Sequence, residues 1–148
     1  MKQHILALAC SATKRMDGEL MPALDRYNGV MWQTLRAALS ELPDEVKQTV
    51  DIWFLSARYG FHLASMPISY YEELMTPKRA GELLSLPTSN HIAFSGAVRQ
   101  ATKVMFAGGS LYRETMKKAA GAQIGAAETD GAGIGFHRQQ LREWLHSL

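Results

Sequence analysis

Apolar and polar positions follow two alternating rhythms along the chain. His4-Ile-Leu-Ala-Leu-Ala9 is a nearly unbroken apolar run between polar residues, the pattern of a strand buried on both faces. Polar residues follow through Met16-Asp-Gly-Glu19. Met31, Leu35, Ala38, Leu39 and Leu42 then recur at helical spacing until Pro43, which predicts a helix over 28–41. Val50-Asp-Ile-Trp-Phe-Leu55, rich in β-branched and aromatic residues, predicts a second strand that runs into Ser56-Ala-Arg-Tyr-Gly60, where glycine permits a turn.

The rhythm then returns to helix. Residues 70–75 open or precede a short helix, Pro77 suits the first turn of one, and 78–84 continue it. Residues 89–100 predict a helix with Ser89 or Asn90 as N-cap and Ile92, Ala93 and Ala97 facing inward. Thr102-Lys-Val-Met-Phe-Ala107 is a third strand, Gly108-Gly109 a turn, and Ser110 the cap of a helix over 111–120. A fourth strand is expected over 123–127. Ile134, Leu141, Leu145 and Leu148 mark one stripe of a last helix, with Trp144 beside it.

Strands that alternate with helices predict parallel pairing with right-handed crossovers. The expected architecture is one α/β domain over 1–148, a three-layer Rossmann-like sandwich with a short, mainly parallel sheet of about four strands. Such sheets bind ligands beyond the carboxyl ends of their strands, where neighbouring connections diverge.

Composition narrows the partners only a little. The 148 residues are 47% hydrophobic and 20% charged, which suits a globular core, and a net charge of +2 does not suit a protein that coats duplex nucleic acid. A single cysteine, Cys10, excludes an internal disulfide framework and fits a reducing, cytoplasmic setting. No apolar run approaches the length of a membrane span, so a membrane partner is not expected. The five histidines show no metal-ligand spacing, and neither a metal nor a cofactor is expected.

Candidate chemistry collects at three strand ends. Cys10-Ser11-Ala12-Thr13-Lys14 offers hydroxyls, backbone N–H groups and a cation, suited to phosphate or carboxylate; the bland alternative is a buried cysteine and a solvent-facing lysine. Ser56, Arg58, Tyr59 and Gly60 add a hydroxyl, a guanidinium able to clamp an anion and a phenol able to stack. Otherwise Arg58 is an ion-pair partner and Tyr59 a lid over the core. Gly108, Gly109, Ser110, Tyr112 and Arg113 form a diglycine turn into a helix start, favourable to a negative ligand. Tyr71 and Glu72 supply the nearest acid or base, with Glu72 partly desolvated by Tyr70, Tyr71 and Met75; the alternative is a solvated acid at a helix start. Glu128 and Asp130, ahead of glycines 131, 133 and 135, form either a loop that closes on a ligand or a plain acidic turn.

The order Cys-Ser-x-x-Lys, Leu-Ser-Ala-x-Tyr-Gly, Tyr-acid-x-x-Met, Ala-Gly-x-x-Tyr-Arg resembles a family of small bacterial and phage proteins labelled as similar to the peroxide-stress protein YaaA. The first motif is also similar to one in domains attached to archaeosine and deazaguanine tRNA-modification enzymes. The resemblance spans residues 6–145 and marks Cys10, Ser11, Lys14, Ser56, Tyr59, Gly60, Tyr71, Glu72, Gly108, Tyr112 and Arg113. Where the family pairs Tyr with Asp, this chain has Tyr71-Glu72. It implies a nucleotide- or nucleic-acid-related setting.

Together these readings predict an enzyme acting on a nucleotide, nucleoside or modified base by N-glycosidic cleavage or base or sugar transfer. Lys14, Arg58 and Arg113 would hold phosphate, Tyr59 or Tyr112 would stack, and Glu72, with Tyr71 and Ser56, would do the chemistry. The alternative is a non-catalytic nucleotide- or DNA-binding protein of stress response or phage origin. The expected partner is a small nucleotide or nucleoside, with DNA or tRNA as the larger alternative; a homodimer is left open.

Overall fold

The computed structural model describes residues 4–121 and 125–148. A five-stranded sheet forms its centre, in the order β4-β3-β1-β6-β7. Its members are β1 (His4–Ala9), β3 (Val50–Ser56), β4 (Gly60–Leu63), β6 (Lys103–Ala107) and β7 (Ala127–Glu128). β1 pairs parallel with β3 and β6, β6 pairs parallel with β7, and β4 runs antiparallel to β3. A separate two-stranded ribbon joins β2 (Met21–Pro22) to β5 (Pro67–Ile68).

The apolar runs become central strands because both faces of the sheet are covered. Leu6 and Leu8 of β1, Phe54 of β3 and Met105 of β6 face one core, which they share with α1 (Ala23–Arg26), α2 (Val30–Glu41) and α7 (Ile134–His146). Their neighbours Ile5, Ala7, Trp53, Leu55, Val104 and Phe106 face a second core, shared with α5 (Ser89–Gln100) and α6 (Ser110–Ala120). α3 (Asp44–Lys47) and α4 (Pro77–Ser85) complete the helices of the described residues. None of these helices is long and apolar enough to cross a membrane.

Five strands rather than four result because the chain does not leave the sheet at Gly60. With φ at +70°, Gly60 turns the chain back, and Phe61 to Leu63 pair with Trp53 to Leu55 as an antiparallel edge. The strand expected over 123–127 is found at Ala127–Glu128; residues 122–124 lie outside the described part. The helix over 89–100 forms with those bounds, but its cap and inner face differ from the expectation. Thr88, one residue earlier, accepts from the His91 N–H at 3.2 Å, and Phe94 and Val98 are buried while Ile92 is exposed. The aromatic ring outweighs the alanines because it buries more apolar surface and stacks on Phe61 at 4.5 Å. Ser110 does not cap its helix: Gly109 holds the cap position and no side chain closes it. In the last helix Leu141, Trp144 and Leu145 are buried, while Ile134 is exposed.

The connections place one crevice at the carboxyl edge. From β1 the chain crosses by α2 to β3 on one side; from β6 it crosses by α6 to β7 on the other. β1 and β6 are adjacent, so their departing connections diverge between them, the position where open α/β sheets accept ligands.

Candidate functional site

Cys10 and Tyr112 meet in that crevice. Cys10 leaves β1 with its N–H bonded to the Leu55 carbonyl at 3.0 Å, and its half-buried Sγ lies 3.3 Å from the Tyr112 hydroxyl on the first turn of α6. The diglycine turn is what lets α6 come so near. Gly108 has φ of +133°, and a Cβ there would stand 2.5 Å from the Cβ of Ala9. Its N–H donates to the buried Thr129 Oγ1 at 3.1 Å, and its carbonyl accepts from Arg113 Nε at 2.9 Å.

A hollow opens on each side of this pair. The first, of about 370 Å³, is walled by Cys10, Ser11, Ala12 and Lys14 together with Glu72, Glu73 and Leu74. The second, of about 400 Å³, has Cys10, Gly108, Gly109 and Tyr112 on one side and Gly131, Gly133 and His137 among its other lining residues. The loop of glycines ahead of α7 thus forms part of its wall. The acids beside that loop are already engaged: Glu128 pairs with Arg113 at 3.4 Å and Lys117 at 3.2 Å, and Asp130 accepts from Gln140 at 3.1 Å.

Residues far from the motifs hold the first hollow in shape. The buried guanidinium of Arg26 donates to the carbonyls of Arg15 (2.7 Å), Asp17 (3.1 Å), Glu19 (3.4 Å) and Ile68 (3.2 Å), tying the long loop after β1 to β5. Asn28 donates from its N–H to the Thr13 carbonyl and Arg15 to that of Arg26, so Lys14 is set in a short antiparallel bridge with Tyr27. Below it, the buried Tyr27 and Tyr71 share a hydrogen bond between their hydroxyls, with rings edge to face at 6.3 Å. Neither Arg26 nor Tyr27 stands out in the sequence. Ala23-Leu-Asp-Arg-Tyr27 mixes apolar and charged residues with no pattern that marks either one.

Lys14 Nζ stands 4.5 Å from the centroid of the Tyr71 ring and 3.4 Å from the Ala12 carbonyl. Burial lowers its pKa below that of an ordinary lysine, against the opposing pull of Cys10 and Glu72. The phenols respond in the opposite sense. Burial chiefly, and the nearby Cys10 next, raise Tyr71 and Tyr112, and burial followed by Tyr71 raises Tyr27. All three are therefore neutral and able to donate a hydrogen bond at physiological pH.

The remaining predicted residues divide. Ser11 and Glu72 line the first hollow, but Glu72 is exposed rather than desolvated, its Oε1 accepting from the Tyr70 hydroxyl at 2.6 Å. The segment that carries it is irregular, burying Tyr71 but leaving Glu72, Glu73 and Leu74 open to solvent. Thr13 and Ser110 are exposed and line neither hollow. Ser56 is fully buried, its Oγ accepting from the Tyr59 N–H at 2.8 Å to close the turn before Gly60. Tyr59 packs edge to face on Tyr71 at 5.3 Å, with its hydroxyl 3.3 Å from Ser69 Oγ.

The three cations expected to converge on phosphate do not. Arg58 lines a separate hollow with Arg79 and His91, its guanidinium 5.9 Å from the Tyr59 ring, and Arg113 is held by Glu128 and the Gly108 carbonyl. Among the described residues no group of three or more potential metal ligands is assembled. No family model, curated protein or solved structure matches the chain.

Proposed function

We propose that the protein is an enzyme that binds a nucleotide, nucleoside or modified base at the β1–β6 crevice and cleaves or transfers it at the N-glycosidic bond. The observation that carries this reading is the meeting of the Cys10–Lys14 loop with Glu72, remote in sequence, around one hollow at the edge where α/β sheets accept ligands. Glu72 is the only predicted acid or base on that wall. As a carboxylate it stabilises the positive charge that develops on a sugar ring as its base departs, as nucleophile or as general base toward water. The hollow beyond Tyr112 receives the rest of the ligand, where the missing Cβ at Gly109 lets a phosphate or base edge approach the first turn of α6. The resemblance to YaaA-like proteins supports a nucleotide-related ligand.

A thermal-shift screen against nucleotides, nucleosides, deazaguanines and short DNA identifies the ligand, since whatever binds the folded state raises its melting temperature. Glu72→Gln is expected to keep that shift and to lose turnover by on the order of 100-fold or more. Full turnover in the variant overturns the assignment of Glu72. The non-catalytic alternative makes a different prediction: ligand-induced stabilisation without turnover, with DNA binding that weakens steeply as salt rises.

A further inference from the structure

Lys14 is badly placed to hold phosphate. The wall it shares carries Glu72 and Glu73, Arg58 lines another hollow, Arg113 is paired with Glu128, and Arg79, 4.0 Å from Glu73, is shared with Glu82 at 3.5 Å, so the carboxylates there outnumber the cations. An anion would meet more repulsion than attraction there. The same surroundings suit an amine that reacts. No carboxylate of the described residues lies within ion-pair distance of Lys14, whereas Lys47 is paired with Asp44 at 3.5 Å and Lys117 with Glu128 at 3.2 Å. The backbone on either side of Lys14 is pinned by the bonds from Asn28 and Arg15, and the Tyr71 ring shields one side of the amine from water. The chain therefore delivers a partly desolvated, unpaired amine to the hollow at a fixed position.

We propose that Lys14 is a nucleophilic amine that condenses with an aldehyde carbon of the ligand, the open-chain form of a pentose that has lost its base. This deepens the glycosidic reading above and rests on it for the class of sugar. The Nζ lone pair adds to the aldehyde carbon while the carbonyl oxygen takes a proton. The carbinolamine then expels that oxygen as water, and Nζ is left joined to carbon by a C=N bond. One amine and one aldehyde give one imine and one water, with no oxidant or reductant consumed. Glu72, on the same wall and electrostatically coupled to Lys14, is the group that gives and takes the protons. The lowered pKa of Lys14 enlarges the neutral, reactive fraction of the amine near neutral pH.

The imine can be trapped. The full-length protein is incubated with sodium cyanoborohydride and either 2-deoxyribose 5-phosphate or a duplex oligonucleotide containing one abasic site, then read by intact mass and peptide mapping. One adduct per chain is expected, on Lys14, at least tenfold above that on the exposed Lys78, Lys117 or Lys118. Lys14→Arg should abolish it, and Glu72→Gln should slow it severalfold. Trapping with the sugar phosphate alone identifies a small-molecule source, and trapping with the oligonucleotide alone a DNA source. No adduct, or one spread evenly over the exposed lysines, overturns the proposal; because the map of the unmodified sequence locates the adduct, a variant that fails to fold does not matter. Nucleoside turnover without a trapped adduct overturns the role of Lys14 and leaves the glycosidic reading standing. A Lys14 adduct without any nucleoside turnover upholds the amine and overturns that reading.

Discussion

The two hollows that meet at Cys10 are similar in size, about 370 and 400 Å³, yet they are made differently. The second is formed by strand ends, helix starts and glycines, with no Lys, Arg, Asp or Glu among its lining residues. The first is formed by two irregular segments, the loop after β1 and the stretch ahead of α4, and carries Lys14, Glu72 and Glu73. Strand ends, helix starts and a glycine loop thus supply a recess lined without lysine, arginine or carboxylate side chains. Irregular segments supply charge, and they hold their shape only because buried polar groups tie them down. The chemistry of the site therefore depends on anchors outside it, above all Arg26 and the Tyr27–Tyr71 pair.

Removing Arg26 tests that dependence most severely. Arg26→Met keeps much of the apolar stem but leaves the carbonyls of Arg15, Asp17, Glu19 and Ile68 without their donor. Unsatisfied buried groups cost about 1–3 kcal/mol each where water cannot replace the partner, so a loss of at least about 3 kcal/mol is expected in urea unfolding. A change below 1 kcal/mol would mean that the loop after β1 is held by something else.

Gly108→Ala attacks the other hollow. The positive φ and the Cβ of Ala9 both oppose a side chain there, and the strand ends leave little room to yield. A cost of about 2 kcal/mol is expected, together with loss of whatever ligand binds beside Tyr112. If binding falls while trapping of aldehyde on Lys14 persists, the two hollows act separately; if both fall together, they serve one ligand.

The contrast between the hollows also explains what could be read from the sequence. Apolar runs at His4–Ala9, Val50–Ser56 and Lys103–Ala107 reveal buried parallel strands, and from them the edge where Cys10, Gly108 and Tyr112 gather. The edge strand at Gly60–Leu63 was not legible, since four residues with one half-exposed face carry too little pattern to separate a returning strand from a loop. The site was legible in position more than in membership. Ser56 looks catalytic in a motif but is spent on closing a turn, and Arg58 follows it in sequence yet lines another hollow. Arg26 and Tyr27 escape notice because their partners, backbone carbonyls and a tyrosine 44 residues away, leave no local signature.

A smaller effect is expected where the paired phenols are cut. Tyr27→Phe or Tyr71→Phe removes this bond from the partner hydroxyl, which keeps Ser56 as a neighbour, costing about 1 kcal/mol. The double variant removes both ends, so its cost should fall short of the sum of the singles by roughly 0.5 kcal/mol or more. Additive costs would show that the two hydroxyls are satisfied independently. The aromatic face over Lys14 survives in Tyr71→Phe and not in Tyr71→Leu, so aldehyde trapping should fall only in the second.

The smallest expected effect is a slope. Because burial lowers the pKa of Lys14, the unfolded chain holds that proton more tightly than the folded one. Linkage then requires stability to rise with pH between the lowered folded value and the ordinary lysine value near ~10.4; below both, the penalty of the buried ammonium is fully present. The phenols of Tyr27, Tyr71 and Tyr112 work against this at the alkaline end, since their pKa values are raised and the unfolded chain loses those protons first, near ~10. The Lys14 contribution is therefore cleanest below that point, as a difference between the wild type and Lys14→Met. The wild type should gain on the variant as pH climbs toward ~10 in parallel urea titrations, because only the wild type sheds a partly buried charge there. Parallel curves, or a wild type that loses ground, would mean that the ammonium of Lys14 is solvated well enough to behave as a surface lysine, and the first hollow would then differ from the second in shape alone.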